Sequence, residues 1–217
     1  MPRLILREKT MRFYTSDLHL GHKNIIKYSN RPFDDVDHMN HVIIKNINEV
    51  TTPDDELWIL GDLAMGRLED SLSLIKLMNP TVHLVSGNHD RCWGGAKAKD
   101  RKKTPLYYEA GIASIQDEAV HDIDERMVVL SHFPYRNAER GDHTEVDRFE
   151  DYRPINHGLW LLCGHVHKTW MHNDKMINVG VDVQNFYPVS EDGIIDFMRR
   201  NENAKNQSKR HLRNLAI

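Results

Sequence analysis

The chain has 217 residues, 40% hydrophobic and 28% charged, with a formal net charge of -3. That composition suits one soluble globular domain with a sizeable core and excludes disorder as its main state. It also gives no global pull toward nucleic acid, so any such preference must come from local patches. No run approaches the ~20 apolar residues of a membrane span, and the N-terminus lacks a secretory apolar region, so a cytoplasmic protein without membrane partners is expected. Cys92 and Cys163 are the only cysteines, which offers no disulfide framework and no zinc-type pair spacing. The unusual count is fourteen histidines.

In chain order, residues 1–10 form a leader whose Leu4, Ile5 and Leu6 suit an extra edge strand or a simple addition. A first strand, 12–16, runs into Asp17-Leu18-His19-Leu20-Gly21-His22. Val36, Met39, Val42, Ile43, Ile47 and Val50 recur at helical spacing, and Thr51, Thr52 and Pro53 end that helix. A buried strand at 57–60 stops at Gly61-Asp62. Leu68, Leu72, Ile75 and Met78 mark a second helix, closed by Asn79-Pro80. The β-branched strand 81–85 then ends at Ser86-Gly87-Asn88-His89-Asp90. The order strand, helix, strand, helix, strand predicts a parallel sheet with right-handed crossovers.

Residues 91–103 are basic and glycine-containing, and read as a loop or short helix. Strands are expected at 112–120 and 126–130, the latter ending in Ser131-His132. The polar connection 135–156 is too long for an ordinary turn and reads as a lid or rim. A strand at 159–163 ends in Gly164-His165-Val166-His167, and 175–183 forms a strand-pair element. Ser190 is placed to cap a last helix through Met198. Residues 201–217 are a basic polar tail, and 11–200 form the single domain.

Five polar clusters therefore follow five apolar runs: Asp17/His19, Gly61-Asp62, Gly87 to Asp90, His132, and His165/His167. Strand ends are where ligands gather in α/β sheets. If the backbone is extended there, residues two apart aim the same way, so each one-residue-spaced pair points two ligands at one place. The donors are carboxylate, amide and imidazole without thiolate, a mixture that suits Mn, Fe, Zn or Ni better than Ca, Mg or Cu(I). Taken singly, each histidine is better read as a satisfied core or loop residue; their ordered recurrence at strand ends argues for a metal site.

The succession DxH, GD, GNH[DE], a lone His and GHxH resembles the calcineurin-like metallophosphoesterase superfamily over nearly the whole core. The resemblance implies an α/β fold of four layers, α/β/β/α, with two β-sheets flanked by helices. It implies two divalent ions at the sheets' carboxyl edge, manganese favoured. Asp17, His19 and His167 would hold the first, Asn88, His132 and His165 the second, with Asp62 bridging both. It further implies that a bridging hydroxide attacks a phosphate ester while His89 serves as general acid. Asp90 is expected to fix the turn rather than bind. An aspartate that often orients this histidine shortly after GD is absent, because Leu63, Ala64 and Met65 stand there.

The expected substrate is a phosphodiester of nucleotide type. A phosphomonoesterase on nucleotides or phosphoproteins, a nuclease, and a non-catalytic binding scaffold are the alternatives. Arg91 and Arg136 adjoin motifs and are candidate phosphate contacts. His22 is either a substrate contact or the start of a helix. The basic run Lys97, Lys99, Arg101, Lys102, Lys103 either attracts a polyanion or forms a solvated face.

Overall fold

A computed structural model describes residues 10–136, 138 and 147–215. The leader 1–10, apart from Thr10, and part of the connection 135–156 lie outside the described residues. The elements in order are β1 (Arg12–Thr15), α1 (Ile25–Tyr28), α2 (Val36–Val50), β2 (Glu56–Leu60), α3 (Leu68–Ser73), β3 (Thr81–Val85), α4 (Ala98–Arg101), α5 (Thr104–Glu109), β4 (Ile112–Gln116), β5 (Glu118–Ile123), β6 (Arg126–Ser131), β7 (Trp160–Cys163), β8 (His172–Asn173), β9 (Met176–Asn178), β10 (Val189–Ser190) and α6 (Glu191–Leu215).

The strands form two five-stranded sheets, ordered β10-β1-β2-β3-β4 and β5-β6-β7-β9-β8. The first is parallel except for β10, which pairs antiparallel with β1. The second mixes parallel β6-β7-β9 with antiparallel β5 and β8. The fold is thus mixed α/β.

Side chains alternate across the first sheet as strand geometry requires. Phe13, Leu57, Ile59, Val82 and Leu84 meet Met39, Ile43 and Ile47 of α2, Leu68 and Leu72 of α3, and Tyr107 of α5. Their neighbours Tyr14, Leu60 and Val85 face the second sheet's Val128, Leu130, Trp160, Leu162 and Ile177. Burial on both faces explains why these strands read as near-continuous apolar runs. Asp35 caps α2, its carboxylate accepting from His38 N at 2.8 Å.

The second sheet's outer face groups Leu161, Cys163 and Met176 with Tyr135, Val129, Ala138 and Trp170. Among the described residues that cluster contains no helical residue, so these contacts do not confirm the four-layer arrangement. Nor is any described helix long and apolar enough to cross a membrane.

Two expectations need correction, and one helix went unannounced. The strand expected at 112–120 breaks at Asp117, because the chain there leaves one sheet for the other; Asp117 accepts from Ser86 Oγ at 2.5 Å and Gly94 N at 3.1 Å. Helix α5 carries no apolar periodicity long enough to announce it. The tail is helical through Leu215 rather than leaving the helix at Met198. Its sequence beyond Met198 holds no Gly or Pro. Glu202 anchors it, accepting from Arg126 Nη2 at 3.0 Å and Trp160 Nε1 at 3.2 Å. Ser190 does cap the helix, its Oγ accepting from Gly193 N at 3.2 Å.

Candidate metal centre

The loops after β1, β2 and β3 of the first sheet, and after β6 and β7 of the second, converge on one edge. Asp17, His19, Asp62, His165 and His167 all adopt left-handed backbone, with φ of 57°, 52°, 54°, 67° and 44°. The paired candidate ligands are therefore not extended, which corrects the geometric reason for their spacing. Non-glycine residues in this region are uncommon, and such strain clusters at functional sites. Each ligand is swung inward by its own turn, with Asp17 N donating to Gly61 O at 3.0 Å and His19 N to Asp62 O at 2.9 Å.

Two glycines make the convergence possible. At Gly61, φ is +87° and a Cβ would lie 2.7 Å from Gly87 Cα. At Gly164 a Cβ would run into Ser16 Oγ and the Asp17 carboxylate. Gly164→Ala should push β7's end off Asp17 and break the 3.0 Å bond from His165 N to Asp17 Oδ2. We expect a loss of about 1–3 kcal/mol, read by thermal unfolding, together with weaker metal retention.

Ligand atoms of Asp17, His19 and His167 lie within 4.8 Å of one another, and so do those of Asp17, Asp62 and His132. Asp62 Oδ2 stands 3.6 Å from both His19 Nε2 and His132 Nε2. His132 Nδ1 must carry the ring proton, because it donates to the Leu60 carbonyl at 2.9 Å. Its Nε2 lies 3.1 Å from Asn88 Oδ1 and 3.6 Å from Asp62 Oδ2.

A fit test comes from unsatisfied atoms. Both ring nitrogens of His19, and Nε2 of His165, are buried without a hydrogen-bond partner among the described residues. Leaving such atoms unmade costs about 1–3 kcal/mol each. Burial holds both imidazoles well below their ordinary pKa, which keeps them neutral and ligand-competent. Burial raises the Asp17 carboxyl, opposed by His167 and His132. Burial also pushes Asp62 upward, but His132, together with the His89 ring and its backbone N–H, outweighs it and holds Asp62 below the ordinary range. These oxygen and nitrogen donors fit a divalent transition metal.

Sequence reasoning missed the support beneath this set. Arg31, buried after α1, grips Asp182 with Nε to Oδ1 and Nη2 to Oδ2, both at 2.9 Å. It also donates to the carbonyls of Asp17 at 2.7 Å and Leu18 at 3.1 Å. Asp182 in turn accepts from His167 Nδ1 at 2.7 Å, which frees Nε2 of that ring for the site. No local pattern distinguishes this arginine from an ordinary loop residue. Asp90 joins two turns: its carboxylate accepts from Asp62 N and Gly87 N at 2.9 Å and from Leu63 N at 3.1 Å. Burial, and then Asp62, push it up to about 7.

His89 has an exposed ring, with Nε2 4.0 Å from Asp62 Oδ2, and its N–H donates to Asp62 Oδ1 at 2.9 Å. His22 and Arg91 line two cavities that share His89, whereas Arg136 lines neither. Within the connection 135–156, Phe149 packs edge-on against His165 at 5.5 Å and stacks on Phe133 at 5.2 Å. Part of that segment thus forms a wall of the site.

A Gene 66 protein of Mycobacterium phage D29 is 32% identical over 180 residues, covering 78% of this chain and 87% of that one. The chain belongs to the Gene 66 protein family. A second family member, from Mycobacterium phage L5, is 29% identical over 210 residues, covering 86% and 93%. An uncharacterized protein of Methanocaldococcus jannaschii is 28% identical over 197 residues, covering 87% and 91%. No family model matches the chain. The crystal structure of a protein of unknown function from Aquifex aeolicus superposes with a TM-score of 0.63 at 24% identity, over 87% of this chain and all of that one. That likeness speaks to the fold of the Gene 66 family alone.

Proposed function

We propose that the chain is a dinuclear metal-dependent phosphoesterase acting on phosphodiesters of nucleotide type, built on a variant of the four-layer calcineurin-like architecture. The observation that carries this reading is the gathering of Asp17, His19 and His167, and of Asp17, Asp62 and His132, within ligand distance of one another, beside buried imidazole nitrogens of His19 and His165 that have no hydrogen-bond partner among the described residues. Asp17, His19 and His167 would hold one ion and Asn88, His132 and His165 the other, with Asp62 facing both. Two divalent ions, when bound, would grip phosphate oxygens and lower the pKa of a water toward ~7.

The remaining work falls to the chain's own groups. Arg31 and Asp182 hold His167 in one orientation. Asp90 fixes the Asp62 and Asn88 turns relative to each other. His89 stands at the mouth with its ring exposed, where it can hand a proton to the departing alkoxide. A diester with a poor leaving group gains most from that proton.

Hydrolysis of bis-p-nitrophenyl phosphate against the monoester, with manganese supplied, tests the reading; monoester turnover dominating by orders of magnitude would sink the diester preference. His89→Ala should lower turnover of an alkyl diester by about 10²–10⁴-fold while elemental analysis still finds the wild-type metal content. Loss of metal in that variant would make His89 a ligand instead.

A further inference from the structure

We infer that the substrate is a two-armed diester: one arm ends in a planar heteroaromatic group, and the other carries a phosphate besides the scissile one. This rests on the phosphoesterase reading above. Three cavities, of about 600, 320 and 490 Å³, meet at His89, and their walls differ in kind.

The largest runs from His19 and His167 toward α1, walled by Ile25, Tyr28 and Val166. Tyr28 is 76% exposed, an open ring face at the mouth. His22 lies edge-on to it at 6.2 Å, with its buried Nδ1 lacking a partner among the described residues. No carboxylate lines this cavity, and its cation, Lys168, already donates to Asn30 O at 3.0 Å. An uncharged ring with edge nitrogens or oxygens suits such walls: its face stacks on Tyr28 and its edge meets His22.

The other two cavities share Asn88, His89 and Arg91 and are ringed by Arg67, Lys97, Lys99 and Lys103, against Glu69, Asp100 and the buried Asp90. Arg91 pairs with Asp100 at 3.1 Å and Arg67 with Asp70 at 3.4 Å, both at the surface. Lys97, Lys99 and Lys103 are exposed and carry no ion pair among the described residues. A chain of net charge -3 thus concentrates positive charge on one flank of His89. One scissile phosphate at the centre does not use it; a second phosphate, one arm away, does. Hydrolysis adds water across one P–O bond, leaving a monoester on one arm and, protonated from His89, a hydroxyl on the other.

The test compares kcat/KM for thymidylyl-thymidine, the same dinucleotide with a 5′-phosphate, and bis-p-nitrophenyl phosphate, all on manganese-loaded full-length protein. The terminal phosphate should raise kcat/KM about tenfold. That advantage should vanish in Lys97→Gln/Lys103→Gln and fade between about 50 and 300 mM salt. Tyr28→Ala should lower kcat/KM for both dinucleotides about tenfold. Calorimetric titration of chelator-treated protein should give tighter, salt-sensitive binding of the 5′-phosphorylated dinucleotide. Turnover of the nitrophenyl diester with equal kcat/KM for the two dinucleotides, or an advantage unmoved by the lysine variant, would overturn this inference alone. No turnover of any substrate with Mn, Fe, Zn or Ni would overturn the phosphoesterase reading beneath it.

Discussion

Asp62→Ala should lose metal and turnover together. Its Oδ2 lies 3.6 Å from imidazoles supplied by different sheets, and its Oδ1 receives the His89 backbone N–H, so one truncation strips the charge that both imidazoles face and frees the His89 turn. We expect diester hydrolysis to fall by more than about 10³-fold, with elemental analysis finding well under the wild-type metal content. Normal activity would break the assignment of Asp62 to both ions.

Arg31→Met should unfold the metal-free protein at markedly lower urea. The guanidinium is fully buried with Asp182, and it also satisfies the carbonyls of Asp17 and Leu18. Removing one partner of a buried pair typically costs about 3–5 kcal/mol, because the other charge stays behind unpaired. Replacing both, as Arg31→Met/Asp182→Leu, should recover part of that loss while still weakening metal retention, since His167 then lacks its anchor. Burial pushes the Asp182 carboxyl up, but His167 and Arg31 hold it down to about 2, against an ordinary 3.8. A depressed carboxylate contributes stability above its unfolded pKa and loses it as pH falls through its folded one. Wild-type stability should thus decline from about pH 4 toward pH 2, and Asp182→Asn should flatten that decline. An unchanged slope would remove Asp182 from the acid response.

The strands and helices that deliver the ligands were legible because they are buried on both faces and so announce themselves as apolar runs broken by polar clusters. The candidate ligands were legible as short motifs at those breaks. What stayed hidden has one physical cause: it depends on long-range partners. Arg31 finds Asp182 across 151 positions, and Asp117 marks a sheet change visible only once both sheets exist. The left-handed turns were misjudged because Asp and His in that conformation carry no local signature, unlike glycine. Helix α6 outran its expected end because Glu202 is held by Trp160 and Arg126. Tertiary contact there decided where a polar sequence stays helical.

The split of ligands between sheets has a consequence for biogenesis. Asp17, Asp62 and Asn88 leave the first sheet, while His132, His165 and His167 leave the second, and His165 N bonds Asp17 across 148 positions. A nascent chain shorter than 132 residues therefore carries only the first sheet's candidate ligands, Asp17, His19, Asp62 and Asn88. Under the proposed ligand assignment, metal capture would come last, after the two halves have closed on each other, and would then rivet them. Loading would report completed folding, and a chelator would unpick the joint between halves before it melted either one.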